Sequence, residues 1–269
     1  MLTFSSLACP AWTIEEIIAA AVRYGYQGIE WRMADGEIID SSASADVRRR
    51  LRAVPEANGI AIVCLDTSCQ VVQGNAEGRA SVIEEGQRMI DLAAAIGAPR
   101  VRVFGGELPK GATRAEVLRP SAEILQELGN YASTCGVTVV LETHDVWSKS
   151  ADVKTLMREV ASPAVKVLWD ANHTYRSGET PAQSLELIGD ELSHVHIKDS
   201  QLTVPGEWKY CLIGEGDVPL HDICQQLKKH GYDGPLSFEW EKKWHPTIAE
   251  PDVALPQAAS ALRAIWQEA

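Results

Sequence analysis

The chain lacks any run approaching the ~20 consecutive apolar residues of a membrane-spanning helix. Its first residues, MLTFSSLACPAW, carry neither the basic start nor the long apolar stretch of a secretory leader. The six cysteines (Cys9, Cys64, Cys69, Cys135, Cys211, Cys224) form no C-x-x-C pair and no zinc-finger spacing. A soluble, reduced, cytoplasmic protein with no membrane partner is therefore expected. No cluster of Lys and Arg offsets a formal net charge of −12, and a polyanion must be met by such a cluster, so nucleic acid is disfavoured as a partner. The G-x-G-x-x-G fingerprint is missing after the first apolar segment, which weakens a dinucleotide-binding reading. Phenylalanine is scarce, at three against eight tryptophans.

What is present is an ordinary globular composition, 45% hydrophobic and 23% charged, in 269 residues. Eight short Val/Ile-rich segments recur along it: LTFSSLA, GIEWR, IAIVCLD, RVRVFGG, VTVVLET, VKVLWD, SHVHIKD and PLSFEWE. Each is bounded by Gly, Pro or polar residues, as buried parallel strands are. Amphipathic segments lie between them. One begins at Thr13, with Glu15 and Glu16 in its first turn, and stops before Gly25. Others run from about Gly78 to Ile96 and from about Ala112 to Cys135, each ahead of a glycine, and a last one starts near Pro251. G-Y-x-G precedes a strand twice, at Gly25 and at Gly231, and reads as a repeated helix-to-strand turn. With no linker to divide it, residues 1–269 are expected to form a single domain, and eight β-α units in about 250 residues favour a (β/α)₈ TIM barrel of the α/β class.

Barrel enzymes place reactive groups at the C-terminal strand ends. The fifth segment closes on Glu142 and His144, the sixth on Asp170 and His173. The seventh carries His194, His196 and Lys198 on one face by period two, and the eighth offers Glu239 and Glu241. Four of the chain's seven histidines thus fall at three successive strand ends. Burying so many ionisable groups is costly unless they pair or bind a cation, so a metal site and a buried ion-pair network are the two readings. For a metal, Glu142, Asp170, His196 and Glu239 offer three carboxylates and one imidazole. Such mostly hard donors suit Mn²⁺, Mg²⁺ or Co²⁺, with Zn²⁺ possible.

The set LET, D-A-N-H, HVHIKD and FEWE resembles the xylose isomerase-like barrel superfamily, over essentially the full chain. That group includes sugar epimerases and isomerases, hydroxypyruvate isomerase, inosose dehydratase and endonuclease IV. The resemblance implies that Glu142, Asp170, His196 and Glu239 hold one divalent metal ion, with Glu142 and Glu239 also moving protons through a cis-enediolate. His173 matches a substrate-contacting histidine. His194 either faces the pocket or supports His196, and Lys198 either neutralises an enediolate or phosphate or pairs with an acid. The extra histidines that the trinuclear endonuclease needs after the third and fourth strands are missing: those ends read LDTSCQ and VFGGE.

A sugar or polyol-derived substrate is therefore expected, turned over by an isomerase or epimerase. A dehydratase, with His173, Lys198 or Glu241 as acid, is the alternative, and a non-catalytic metal-binding protein the last reading. Family resemblance also implies a homo-oligomer. Trp12, Trp31, Trp147, Trp208, Trp240 and Trp244 follow strands, where indoles stack on sugars or pack loops. Arg32 and Arg102 are oxygen or phosphate binders or structural ion pairs. Asp217 is expected to cap the helix after the seventh strand. Glu215, Lys243 and His245 are weaker pocket candidates.

Overall fold

A computed structural model describes residues 1–269. Eight parallel strands close into a barrel: β1 (Leu2–Ser5), β2 (Gly28–Trp31), β3 (Ala61–Gln70), β4 (Arg100–Phe104), β5 (Thr138–Glu142), β6 (Val165–Asp170), β7 (Leu192–Ile197) and β8 (Leu236–Phe238). Each pairs with its neighbours in sequence, and β8 closes on β1 through Leu2↔Leu236 and Phe4↔Phe238. Nine α-helices surround it: α1 (Ile14–Tyr24), α2 (Ala45–Ala57), α3 (Ala76–Ile96), α4 (Arg114–Cys135), α5 (Ser150–Glu159), α6 (Ala171–Arg176), α7 (Pro181–Ile188), α8 (Leu220–His230) and α9 (Pro251–Glu268). No helix is long and apolar enough to cross a membrane.

Local chemistry sets the helix ends. Thr13 accepts from the Glu16 N–H while the Glu16 carboxylate accepts from Thr13, and Thr113 and Glu116 repeat this box ahead of α4. At the repeated G-Y-x-G turns, Gly25 and Gly231 both take left-handed backbone (φ 74° and 76°), which a side chain would strain. The tyrosines that follow each donate to a carbonyl: Tyr26 to Leu255 and Tyr232 to Pro235.

Because side chains alternate along a strand, one parity of each strand fills the barrel. On β5 that parity carries Val140 and then Glu142, on β6 Leu168 and Asp170, and on β3 Cys64 and Asp66. Apolar residues thus occupy the lower interior, where Val63, Cys64, Val140 and Leu168 cluster, with charged groups above them. The other parity joins the helices in a core of 64 buried residues. Register matters here: Asp170 pairs with His196, so both side chains stand at one level of the barrel.

Two hairpins interrupt the alternation, and the pattern of eight segments does not contain them. A short one joins Met33–Ala34 to Glu37–Ile38 after β2. A longer one, Asp199–Val204 with Glu207–Cys211, follows β7. Asp199 anchors the latter to the glycine-rich stretch beyond it, accepting from the N–H groups of Gly214 (2.8 Å), Gly216 (3.0 Å) and Val218 (3.3 Å). Asp217 does not cap the next helix as expected. Its carboxylate accepts from Leu202 N (2.8 Å), while Pro219 precedes α8.

Candidate metal and substrate site

Four successive strands deliver Glu142, Asp170, His196 and Glu239 to one point at the C-terminal end of the barrel. One ligand atom from each lies within 4.8 Å of all the others, and every one of the four side chains is buried. His196 Nδ1 stands 3.4 Å from Glu142 Oε1, 3.5 Å from Glu239 Oε2 and 4.0 Å from Asp170 Oδ2. Neither Glu142 oxygen nor His196 Nδ1 makes a hydrogen bond within the protein. Buried polar atoms left unpaired are costly, and here they converge. The donor set therefore fits a divalent cation, for which these residues supply three carboxylates and one imidazole.

A residue that the sequence reading passed over prepares the imidazole. Glu30, inward on β2 and fully buried, accepts from His196 Nε2 at 2.7 Å and is paired through its other oxygen with His194 Nε2. A proton held on Nε2 leaves the Nδ1 lone pair for a cation. His194 is 0% exposed and turned to Glu30 rather than to the cavity. Two positions before His196 on the same face, it lies one layer deeper in the barrel and does not border the cavity. Of its two expected places, facing the pocket or beside His196, the geometry puts it beside His196 through the shared Glu30. The signal for Glu30 was a lone acid inside GIEWR, an otherwise apolar buried strand.

Lys198 is buried and lies 2.8 Å from Asp170 Oδ2 and 2.6 Å from Glu241 Oε1, and it also contacts Glu239. Burial alone would lower its pKa, but those three acids hold it well above the ordinary lysine value. Tyr210 donates to the same Glu241 oxygen (2.6 Å), and His245 Nε2 lies 3.6 Å from the other. Arg102, also buried, spans Asp66 and Glu142 at 3.4 Å each and lies over the Phe104 ring.

Burial raises the Glu142 carboxyl, but Arg102 and His196 outweigh it and hold it below the usual range. The same balance, with His196, Lys198 and Arg102, keeps Glu239 well below it. His173 differs, because burial, Lys198 and His144 all press its pKa well down, leaving a neutral ring 3.6 Å from Asp170 Oδ2.

A cavity of about 300 Å³ opens above this cluster, bordered by Leu7, Arg32, Arg102, Phe104, Glu142, His144, Glu239, Glu241 and Trp244. A larger one, about 400 Å³, sits at the opposite end of the barrel around Met1, Gly234 and Trp266 and has none of the acid–imidazole set. Of the six strand-following tryptophans, Trp244 borders the site cavity. Trp31, Trp147 and Trp240 are core residues, and Trp208 packs edge-on against Tyr175. Trp12 is corrected as well: it lines a cleft with Glu16, Arg23 and Asp252 on the outer side of α1. Glu215 and Lys243 do not border the cavity, and His245 reaches the site only through Glu241.

The loop after β8 is stitched by Lys242, whose ammonium donates to Pro246 O, Ile248 O and Glu250 Oε1, each at 2.7 Å. That holds the segment carrying Trp244 over the mouth.

Comparison with known proteins agrees with this architecture. Residues 18–265 match the family model of the xylose isomerase-like TIM barrel. Fructoselysine 3-epimerase of Escherichia coli O157:H7 is 28% identical over 152 residues, 55% of this chain and 53% of that protein. Inosose dehydratase of Bacillus licheniformis is 29% identical over 150 residues, 50% and 48% of the two chains. These matches thus span about half the length of the curated relatives. Among solved structures, the IolI protein with a bound zinc atom superposes with a TM-score of 0.86 at 17% identity, covering 99% of this chain and 98% of that one. The chain belongs to the xylose isomerase-like TIM barrel family.

Proposed function

We propose that the protein is a divalent-metal-dependent isomerase or epimerase of a sugar or related polyhydroxy carbonyl compound. One observation carries the reading: two ionised glutamates, Glu142 from β5 and Glu239 at the end of β8, border one cavity and lie 3.4 and 3.5 Å from His196 Nδ1. Glu142, Asp170, His196 and Glu239 would hold the cation, which when bound polarises adjacent carbonyl and hydroxyl oxygens of a substrate.

Glu142, with both oxygens free of hydrogen bonds, is the base that takes a proton from the carbon next to the carbonyl, giving an enediolate. Glu239, itself ionised, passes to the other face or the neighbouring carbon a proton that it takes from the Lys198 ammonium in contact with it. Once product leaves, Glu142 gives its proton up to water and Lys198 regains one, so no net proton is gained or lost. Phe104, Leu7 and Trp244 keep water away from that exchange. The related fructoselysine 3-epimerase supports this class.

A second reading, dehydration, starts from the same proton abstraction and then expels a hydroxyl. It is favoured by the row Lys198–Glu241–Tyr210 beside the acids, a ready proton source for a leaving hydroxyl, and by the related inosose dehydratase. Incubating the metal-loaded protein with ketoses and inososes in deuterated water separates the two. Deuterium entering next to the carbonyl without loss of water is the expected result. A product absorbing as an enone assigns dehydration instead. Glu142→Gln and Glu239→Gln are each expected to abolish turnover, and near-normal rates in both would remove the proton roles. Failure of the protein to bind either a divalent metal or a polyol would leave a non-catalytic role.

A further inference from the structure

Four cations are buried in this molecule: Arg32, Arg102, Lys198 and Lys242. Three have acid partners. Arg102 spans Asp66 and Glu142, Lys198 is surrounded by Asp170, Glu239 and Glu241, and Lys242 reaches Glu250. Arg32 has none within 4.0 Å. Its side chain makes one hydrogen bond, from Nη2 to the neutral Ser68 Oγ at 2.9 Å, and its Nη1 is buried with no partner. The residue is 5% exposed and borders the cavity above the acid cluster.

Its placement is not loose. Arg32 continues the inward face of β2 two residues beyond Glu30, and its own N–H and that of Met33 both donate to Ser6 Oγ at 2.8 Å. The backbone is thereby pinned, and the guanidinium is held at the cavity wall. Burial, with Arg102 nearby, presses its pKa down to about 10, so it stays charged at neutral pH. An arginine buried with no acid in contact is only partly compensated by the more distant Asp66, Glu239 and Glu142, and a neutral hydroxyl does not replace a direct carboxylate or phosphate partner. The direct ion pairs to the acids on the cavity floor are made by Arg102 and Lys198, so the Arg32 guanidinium keeps hydrogen-bonding capacity for a ligand.

We propose that the substrate of this site is anionic: a polyhydroxy carbonyl compound bearing a carboxylate or phosphate, which the Arg32 guanidinium receives at the cavity wall. This rests on the reading of the cavity as an enediolate-forming site, and it adds a class of substrate to it.

The test uses the Mn²⁺-loaded full chain and three probes: D-fructose, D-fructose 6-phosphate and 5-keto-D-gluconate. Dissociation constants come from calorimetry, and proton exchange at the carbon beside the carbonyl is followed separately by NMR in deuterated water. At least one anionic probe is expected to bind about tenfold or more tightly than D-fructose, which corresponds to one bidentate charged contact. Which anion gains tells carboxylate from phosphate. In Arg32→Met the ratio of anion to ketose affinity is expected to fall towards one, and Arg32→Lys is expected to recover part of it, which separates a charge effect from a folding defect. An anion preference that survives in Arg32→Met is due to the metal or to another cation and overturns the proposal. So does equal or better binding of D-fructose, or no binding by either anion. Anion preference dependent on Arg32 but without exchange in any probe would leave the proposal standing and remove the enediolate reading.

Discussion

His196 directs its Nε2 to Glu30, 2.7 Å away, and thereby offers Nδ1 to Glu142, Asp170 and Glu239. A carboxylate behind an imidazole fixes the ring's tautomer and orientation and raises its donor strength. Glu30 is a positioning residue, and the contact should be measurable in the metal.

Glu30→Gln keeps the shape but weakens the acceptor, and Glu30→Ala also leaves the two imidazoles unpartnered. Divalent-metal affinity is expected to fall by about 10- to 100-fold in Glu30→Gln and further in Glu30→Ala. Competition titration with a metallochromic chelator reads this directly, and unchanged affinity in both variants would show that the tautomer is set elsewhere.

The pH dependence has a defined sign. Burial lowers the His196 pKa, but Glu239, Glu30 and Glu142 outweigh it and lift it well above the ordinary histidine value. Without metal this group therefore contributes stability that is complete below the unfolded-state value of about 6.5 and is lost as pH rises through the folded value. A cation must displace that proton, so its affinity rises over the same span. The stabilisation gained on adding Mn²⁺ is expected to grow as pH rises from about 6.5 towards the raised folded value, with about one proton released per ion at neutral pH. Thermal melts with and without metal, and calorimetry in buffers of different ionisation enthalpy, check both statements. A metal gain that is flat with pH would place a neutral His196 in the metal-free protein.

Lys242 ties two carbonyls and Glu250 into the turn beneath Trp244. Lys242→Met keeps the stem and removes all three bonds, leaving two loop carbonyls short of a donor. A loss of about 1–3 kcal/mol is expected from the urea midpoint, together with faster proteolysis between residues 241 and 250. A variant with unaltered cleavage would show the loop to be held by Trp240 and its bond to Ala249 instead.

The barrel was legible from period and spacing: eight Val/Ile-rich segments, four of them ending on acid or histidine, while the choice of Glu142, Asp170, His196 and Glu239 as one candidate ligand set came from the resemblance of those strand ends to the xylose isomerase-like barrels. The conformation at Gly25 and Gly231 was legible for the same reason, since each stands between a helix and a strand where left-handed backbone closes the turn. The hairpin from Asp199 to Cys211 was not, because beyond the buried Asp199 and Ser200 its strands are exposed or half-exposed and mix apolar with polar residues, so they lack the Val/Ile-rich run that marks the barrel strands. Asp217 looked like a helix cap, but Pro219 displaced the helix start and freed its carboxylate for Leu202. Trp12 was placed by proximity in the chain to a strand end and His194 by period-two alternation, neither of which measures depth or side in a barrel. Glu30 was the converse. It faces inward on β2, but its partners lie far away in sequence, and only closure of the barrel brings it to His194 and His196.

The ligands and their supports divide along the chain. Glu142, Asp170, His196 and Glu239 all come from strands β5 to β8, whereas Glu30, Arg32, Asp66 and Arg102 come from β2, β3 and β4. The C-terminal half-barrel thus supplies all four candidate ligands together with Lys198, and the N-terminal half supplies Glu30 behind His196 and Arg102 beside Glu142. Neither half carries the chemistry by itself, so fragment complementation at the α4–β5 junction would restore metal affinity only when the two halves meet.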